Sequence, residues 1–257
     1  MIAGPCVIES ETMSLDVAGA LKETCTRLRI DLIFKSSYLK ANRSSVDSYT
    51  GPDVEEGLRI LQKVRSQLGV PVLTDVHTPQ EVAAASEAVD VLQIPAFLSR
   101  QTALLQEAAR HSRFVNVKKG QFLAPRDLSR VVEKIRAVRS DCEIWLTERG
   151  TTFGYGDLVV DMRGFQIMRE LPCTVVFDVT HSLQHPGVGG DRRFAGTLAR
   201  AALAAGADGL FLETHPDPDR ALSDPTTQLP LETVPAFLEE MLSWKELAGR
   251  WAGRAER

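Results

Sequence analysis

The strongest constraint on the fold is a regular alternation of short apolar, β-rich runs with stretches of helical periodicity. Apolar runs of this length suit strands buried on both faces of a parallel sheet, and the alternation is typical of repeated strand–helix units. Spacings of three and four residues between apolar positions, as in 58–68 and 131–138, predict helices that face such a sheet, and a last helix is predicted at 231–247. The sequence contains eight candidate strands, at 1–4, 32–36, 70–74, 91–95, 114–118, 143–147, 174–178 and 209–213.

Eight strand–helix units predict an α/β fold, a (β/α)₈ TIM barrel with parallel strands. The length of 257 residues fits one such barrel, which typically needs about 250. No Pro/Gly/Ser-rich linker interrupts the alternation, so we expect residues 1–257 to form a single catalytic domain. A doubly wound open sheet would show the same alternation, but its usual GxGxxG phosphate loop is missing after the first strand. The closed barrel is therefore favoured.

Composition excludes several classes of partner. No apolar run approaches the roughly 20 residues that span a bilayer, so we expect no membrane insertion. The formal charge is −4 and no basic block is interleaved with aromatic residues, so we expect no nucleic-acid partner. The first residues lack the basic flank and apolar stretch of a signal peptide, and the four cysteines are widely spaced without a CxxC motif. These features favour a cytoplasmic protein without a disulfide framework or a zinc ribbon.

Reactive side chains follow nearly every candidate strand, where a barrel builds its active site. Such groups are costly to bury unpaired, so they imply a ligand, a metal or mutual pairing. The residues in question are Cys6, Lys35 to Ser37, Asp75, His77, Lys118, Lys119, Glu148, Arg149, Asp178, His181, Glu213 and His215.

Six cations concentrate near these strand ends in an otherwise acidic chain. Arginine clamps carboxylates and phosphates with two donors, and lysine attracts them as a point charge, so the set predicts a site for anionic substrates. The alternative for any single lysine is a solvated charge or an ion pair with Asp75 or Glu148. The six are Lys35, Lys40, Arg43, Lys118, Lys119 and Arg149.

Barrel closure makes strands seven, eight and one neighbours, which predicts that Cys6, His181, Glu213 and Asp224 converge. One thiolate, one imidazole and two carboxylates suit a divalent Zn, Fe, Mn or Co ion. Taken singly, the cysteine is better read as a small buried hydrophobe and the histidine as a hydrogen-bonded core residue. The joint arrangement carries the prediction of a metal, and we predict no organic cofactor. Two Gly-rich loops, at 153–156 and 186–190, are candidate covers for the site, with ordinary turn chemistry as the alternative.

Taken in order, nine blocks of the sequence resemble 3-deoxy-D-manno-octulosonate 8-phosphate (KDO8P) synthase over almost the whole chain. They are IAGPC (2–6), FKSSYLKANRSS (34–45), TDVH (74–77), QIPAFLSRQT (93–102), NVKKGQFLAP (116–125), TERGTTFGY (147–155), FDVTHS (177–182), ETHPDP (213–218) and SDPTTQLP (223–230).

The resemblance implies a transferase that condenses phosphoenolpyruvate with D-arabinose 5-phosphate and water, giving KDO8P for lipopolysaccharide biosynthesis and phosphate. It implies a homotetramer, in which Arg43 and Ser44 reach the sugar phosphate of an adjacent subunit. The family divides into metal-dependent members with cysteine at the end of strand one and metal-free members with asparagine there, so Cys6 implies metal dependence. The implied metal ligands are Cys6, His181, Glu213 and Asp224.

The resemblance also supplies substrate and catalytic candidates. Phosphoenolpyruvate would be bound by Lys35, Ser37, Lys118 and Arg149 with Lys40 and Gln93 close by, and arabinose 5-phosphate would lie across Asn42. Asp75, His77 and Phe122 complete the substrate-binding candidates. The catalytic candidates are Cys6, Lys35, Lys40, Asn42, Lys118, His181 and Asp224.

Two departures and two alternatives accompany this interpretation. Family members commonly carry a leading segment before strand one and a longer loop after His181, so we expect a less complete cover over the site.

The closest alternative is 3-deoxy-D-arabino-heptulosonate 7-phosphate synthase, which uses erythrose 4-phosphate. That enzyme usually shows a Lys-Pro-Arg-Thr-like run where this chain has KANRS (40–44). Asn42 offers the longer sugar a hydrogen-bonding partner, which favours arabinose 5-phosphate. The other alternative is a non-catalytic sugar-phosphate or metal-binding barrel.

Overall fold

Eight parallel strands form a closed sheet in a computed structural model that describes residues 1–42, 45–153, 155–186 and 188–255. Neighbouring strands pair in chain order, and the first strand pairs with the last, Ile2 with Phe211 and Gly4 with Glu213. This closure confirms the (β/α)₈ barrel and excludes the open doubly wound sheet. The strands are β1 (Ile2–Gly4), β2 (Ile33–Lys35), β3 (Val72–Asp75), β4 (Val91–Ile94), β5 (Phe114–Lys118), β6 (Glu143–Glu148), β7 (Thr174–Asp178) and β8 (Gly209–His215).

Within the described residues, eight α-helices follow the strands and surround the sheet. The apolar core between helices and sheet is formed by residues such as Leu61, Val64 and Ile135, which lie on the predicted helical stripes. The predicted last helix begins with a 3₁₀ turn, Leu231–Thr233, before its α-helical part. The helices are α1 (Glu11–Leu28), α2 (Val54–Leu68), α3 (Pro79–Ala88), α4 (Thr102–His111), α5 (Leu128–Arg136), α6 (Arg163–Arg169), α7 (Ala195–Ala205) and α8 (Val234–Ala255).

Capping residues define the ends of the first two helices. The Ser10 side chain accepts a hydrogen bond from Met13 N at 3.1 Å, and the Asp53 side chain accepts one from Glu56 N at 2.9 Å. Both satisfy amide groups that have no partner inside the helix. At its end, α2 stops at Gly69 with φ of 61°, a left-handed conformation that glycine adopts without steric cost. Local sequence therefore determines where these two helices start and α2 stops.

The lower half of the barrel interior is apolar. Each of the eight strands contributes one side chain to this set, which excludes water from the bottom of the barrel and anchors the strands to one another. The contributing residues are Ile2, Ile33, Leu73, Val91, Phe114, Trp145, Val176 and Phe211.

Two residues further along each strand, the interior becomes polar. Side chains at i and i+2 of a strand point to the same face, so these residues also face the barrel interior. With Gly4 as the exception, all of them carry a polar or charged side chain, and all seven of those side chains are buried: Lys35, Asp75, Gln93, Asn116, Thr147, Asp178 and Glu213. The change from apolar to polar within two residues defines the floor of a site at the carboxyl ends of the strands.

Two short antiparallel pairs shape the loops above this floor. Thr151–Thr152 pairs with Leu158–Val159, and Gln184–His185 pairs with Gly189–Gly190. These hairpins lie in the two Gly-rich loops that the sequence marked as candidate covers. Their Gly154 and Gly187 lie outside the described residues. In the part of the chain that the structure describes, no helix is both long and apolar enough to cross a membrane.

Candidate active site

A chain of hydrogen bonds crosses four neighbouring strands in the polar floor. Asp75 accepts from Gln93 Nε2, Gln93 Oε1 accepts from Asn116 Nδ2 at 2.7 Å, and Asn116 Oδ1 accepts from Thr147 Oγ1 at 2.6 Å. We call Asp75, Gln93, Asn116 and Thr147 the polar belt. Each amide oxygen and each amide nitrogen has a partner, so the belt fixes the orientation of the Gln93 and Asn116 side chains.

Lys35 closes the floor on the opposite side. Its Nζ lies 2.5 Å from Glu213 Oε1 and 2.9 Å from the carbonyl oxygen of Cys6, and the lysine side chain is fully buried. Although burial would raise the pKa of Glu213, the positive charge of Lys35 lowers it below its usual value. This buried pair joins a predicted phosphoenolpyruvate ligand to a predicted metal ligand.

Lys118 forms the second buried ion pair. It donates to Asp178 Oδ2, and its Nζ lies 3.0 Å from the centre of the Phe211 ring, an arrangement typical of a cation–π contact. Burial lowers the pKa of Lys118 to about 8 despite the charge of Asp178. Asp178 also accepts hydrogen bonds from the backbone and Nδ1 of His181, both at 2.9 Å. Asp178, which had no assigned role, therefore orients both Lys118 and His181.

Barrel closure brings together three of the four predicted metal ligands. One ligand atom each from Cys6, Glu213 and Asp224 lie within 4.8 Å of one another. His181 is not part of that three-residue cluster, but its Nε2 lies 3.8 Å from Glu213 Oε2. Because Nδ1 of His181 is engaged by Asp178, Nε2 is the nitrogen turned toward the cluster, a usual support for a metal-binding histidine.

The chemistry of this cluster fits a divalent ion. Among the described residues, the buried Glu213 Oε2 has no hydrogen-bond partner, and a buried carboxylate oxygen normally has one. Burial, together with the charge of Glu213, raises the pKa of the Cys6 thiol well above its usual value, and its Sγ lies 3.1 Å from Asp224 Oδ2. A cation would replace the thiol proton and supply the partner that Glu213 Oε2 lacks.

Arg149 lies above the floor and carries an open donor. Its guanidinium is buried, its Nη2 donates to Gln184 Oε1 at 2.6 Å, and its Nη1 has no partner in the described part of the chain. Gln184 in turn donates from Nε2 to Asp224 Oδ1 at 3.0 Å. The sequence offered no signal for Gln184, since it lies in a loop whose position depends on contacts distant in sequence.

The remaining predicted substrate residues that the structure describes lie at or just after the ends of β2, β3 and β5. Ser37 Oγ donates to Asp75 Oδ2, and His77 is held by Glu81, with its Nδ1 3.2 Å from Glu81 Oε2. Burial would lower the pKa of Lys40, but the nearby carboxylates of Glu213, Asp75 and Asp224 raise it above its usual value. Asn42 and Phe122 are exposed. Arg43 and Ser44 lie outside the described residues.

Lys119 does not belong to the site, so its grouping with the substrate-binding cations is wrong. It follows the inward-facing Lys118 and therefore points out of the barrel, where it is fully buried. Its Nζ lies 3.4 Å from Glu148 Oε1 and 2.9 Å from Thr151 Oγ1, and it also bonds backbone oxygens of both adjoining loops. The alternative of an ion pair with Glu148 is the correct one for this lysine.

The fold and this site define a (β/α)₈-barrel protein with buried lysine, arginine, carboxylate and thiol side chains at the carboxyl ends of its strands. A family model described as the DAHP synthetase I family matches residues 1–248. The chain belongs to that family.

Three curated relatives carry the name 2-dehydro-3-deoxyphosphooctonate aldolase. The protein from Thioalkalivibrio sulfidiphilus is 57% identical over 249 residues, covering 94% of this chain and 86% of its own. That from Syntrophobacter fumaroxidans is 56% identical over 247 residues, covering 94% and 85%. That from Legionella pneumophila is 52% identical over 257 residues, covering 98% and 93%.

Proposed function

We propose that this protein is a 2-dehydro-3-deoxyphosphooctonate aldolase, that is, KDO8P synthase. It condenses phosphoenolpyruvate with D-arabinose 5-phosphate and water to give KDO8P and phosphate. The observation that carries the proposal is the buried set of Lys35, Lys118 and Arg149 around one barrel mouth. Within the described ranges, Arg149 Nη1 has no hydrogen-bond partner. A buried open guanidinium donor calls for an anionic ligand. The shared name of the relatives specifies which anions.

Phosphoenolpyruvate is proposed to lie across Lys118 and Arg149, with Lys35, Ser37, Lys40 and Gln93 completing its site. The polar belt presents the Gln93 amide in one orientation, and Asp178 holds the Lys118 amine in place. Because these groups are positioned before substrate arrives, little reorganisation is needed when charge develops. Asp75, His77 and Phe122 extend the site toward the rim. Asn42, with Arg43 and Ser44, is proposed to bind arabinose 5-phosphate.

The reaction then needs orientation and proton handling from the protein. C3 of phosphoenolpyruvate attacks the aldehyde carbon of the sugar, the aldehyde oxygen takes up a proton, water adds at C2, and cleavage of the C2–O bond releases phosphate. Lys118 and Arg149 neutralise the two anionic groups of phosphoenolpyruvate throughout. The proton-handling candidates are His181 and Asp224. Since Asp178 engages Nδ1 of His181 and its Nε2 is assigned to the metal ion below, Asp224 takes this role when the metal is bound. Asp224 has its pKa held below its usual value by His181 and Lys40, against the effect of burial, so it stays ionised.

We propose that Cys6, His181, Glu213 and Asp224 hold one divalent Zn, Fe, Mn or Co ion. A cation held there supplies Lewis acidity close to the reacting groups. The mixed set of one sulfur, one nitrogen and two carboxylate ligands suits these metals better than Mg²⁺ or Ca²⁺, which prefer oxygen ligands alone. The assignment is supported by Glu213 Oε2, which is buried and has no hydrogen-bond partner in the portion of the chain that the structure describes.

A homotetramer is proposed as the working assembly. Large apolar side chains are exposed on the loops that follow β4 to β8, at the same end of the barrel as the site: Phe97, Phe122, Phe153, Tyr155, Val188, Phe194 and Leu222. Exposed large apolar side chains at one end of a barrel favour a protein partner there. The residues expected to reach an adjacent subunit, Arg43 and Ser44, follow β2 in the sequence and lie outside the described residues. All four cysteines are free, which suits the reducing cytoplasm that we propose as its location.

Phosphate release from phosphoenolpyruvate tests the proposal. The purified protein is incubated with arabinose 5-phosphate or with erythrose 4-phosphate, before and after chelator treatment and again after adding Mn²⁺ or Zn²⁺. We expect release with arabinose 5-phosphate, its loss with chelator and its return with metal. Release only with erythrose 4-phosphate would favour the heptulosonate synthase. The absence of release with either sugar would favour the non-catalytic barrel. Light scattering after size-exclusion chromatography measures the assembly, and a monomer would contradict the tetramer.

A further inference from the structure

The Gln184 side chain connects two functional groups that belong to different parts of the proposed site. Its Oε1 accepts from Arg149 Nη2 at 2.6 Å, and its Nε2 donates to Asp224 Oδ1 at 3.0 Å. Arg149 follows β6 and Asp224 follows β8, so one amide joins the anion-binding arginine to a proposed metal ligand.

The chemistry of the two partners leaves only one orientation for this amide. Arginine has donors and no acceptor, and an ionised carboxylate has acceptors and no donor. The amide oxygen must therefore face Arg149, and the amide nitrogen must face Asp224. Arg149 Nη1 is unpartnered among the described residues, so it can bind a ligand, and Asp224 Oδ2 lies 3.1 Å from Cys6 Sγ, in the proposed metal cluster.

The backbone of Gln184 is held where the bridge requires it. Gln184 pairs with Gly190 in the short hairpin after β7. A Cβ atom at Gly190 would lie 2.3 Å from Thr227 Cγ2 and 2.6 Å from the carbonyl oxygen of Leu183, so the hairpin packs directly on the loop that carries Asp224. Asp224 itself has φ of 48°, a left-handed conformation that aspartate tolerates better than most residues. The bridge is therefore part of a close loop–loop contact.

We propose that Gln184 is a positioning residue that fixes the Arg149 guanidinium and the Asp224 carboxylate relative to each other. The inference rests on the proposed function, and it adds that phosphoenolpyruvate binding and metal binding depend on the same amide. Removal of the amide frees Arg149 Nη2 and Asp224 Oδ1 together. Phosphoenolpyruvate must then order the Arg149 side chain and the metal must order the Asp224 side chain, which Gln184 does in the wild-type protein, so both bind more weakly.

Two binding measurements on Gln184→Met test the inference. Phosphoenolpyruvate binding to the chelator-treated protein is measured by calorimetry, and Mn²⁺ binding without phosphoenolpyruvate by electron paramagnetic resonance. Because a hydrogen bond to a charged group is lost on each side, we expect both affinities to fall by about tenfold. Gln166→Met is the matched control, since Gln166 donates to the carbonyl oxygen of Ala205 on the outer helices. It should leave both affinities within about twofold of the wild type.

A double-mutant cycle separates positioning from general destabilisation. In an Arg149→Met background, Gln184→Met should no longer weaken phosphoenolpyruvate binding, yet it should still weaken Mn²⁺ binding. Circular dichroism establishes that each variant is folded, and Gln184→Ala replaces Gln184→Met if the latter does not fold. If the wild-type protein turns over normally, the inference is overturned when Gln184→Met changes only one of the two affinities or neither. A wild-type protein that neither binds phosphoenolpyruvate nor releases phosphate would instead overturn the proposed function itself, and this inference with it.

Discussion

Burial of Lys118 predicts that the enzyme loses efficiency in mildly alkaline solution. Its amine is enclosed by Asp178 and the Phe211 ring, and burial lowers its pKa to about 8. Phosphoenolpyruvate needs the charged amine, and its own phosphate is already fully ionised well below that pH, since phosphate monoesters titrate near pH 6. The charge on Lys118 is therefore the quantity that changes between about pH 7 and 10.

The size of the effect follows from the titration. With a pKa of about 8, roughly half of the free enzyme carries the charged amine at that pH and about a tenth does one unit higher. We expect kcat/KM for phosphoenolpyruvate to fall about tenfold per pH unit above about pH 8.5, since kcat/KM reports groups of the free enzyme. The fall in kcat should be smaller, because the bound anion stabilises the charged amine.

Stability provides the control for this prediction. A lysine whose folded pKa lies below its unfolded value binds fewer protons in the folded state between the two values. Its contribution to the free energy of unfolding therefore rises with pH across that interval, so Lys118 cannot lower the melting temperature while activity falls. Lys118→Arg, which stays charged throughout, should have lower activity at pH 7 but no alkaline decline. A wild-type kcat/KM that stays flat up to about pH 9.5, or an identical decline in Lys118→Arg, would refute the reasoning.

Three further changes test other parts of the structure. Cys6→Ala removes the sulfur ligand, so metal analysis should show metal content falling by tenfold or more and phosphate release should disappear; full activity without bound metal would contradict the metal site. Gly190→Ala forces a Cβ against Thr227 and the Leu183 carbonyl, so thermal melts should show destabilisation of about 1–3 kcal/mol. The control is Gly19→Ala in α1, where an added Cβ meets no atom within 4 Å; it should be neutral or stabilise the protein by up to about 1 kcal/mol. Lys119→Met leaves Glu148 buried without its cation and should cost about 3–5 kcal/mol; if Lys119→Met/Glu148→Leu is just as destabilised, the cost does not come from the unpaired charge.

The eight-strand barrel could be predicted because each unit repeats the same local pattern. The strands lie within about two residues of their predicted bounds, and the convergence of Cys6, Glu213 and Asp224 follows from closure between β1 and β8. The wrong assignment of Lys119 came from ignoring the alternation of side chains along a strand. Lys118 faces the interior, so its neighbour must face outward, and counting two residues from Phe114 would have separated the two lysines.

Gln184 was beyond the reach of such counting. Its loop is not a regular strand, and its position depends on Gly190 packing against Thr227, a contact between two loops. Asp178 was visible at a strand end, but its double hydrogen bonding to His181 and its pairing with Lys118 depend on three-dimensional geometry. Residues on the strands were thus predictable from periodicity, while those that connect strand ends required the folded structure.

The polar belt also has a consequence for how such a barrel can be altered. Asp75, Gln93, Asn116 and Thr147 satisfy one another in series, so replacing Thr147 by valine leaves the Asn116 oxygen without its donor in a place that water does not reach. The four positions have to change as a group or not at all. Exposed side chains at the rim, such as Phe122, can vary one at a time, so new substrate preferences on this scaffold are more accessible through these rim positions than through the floor.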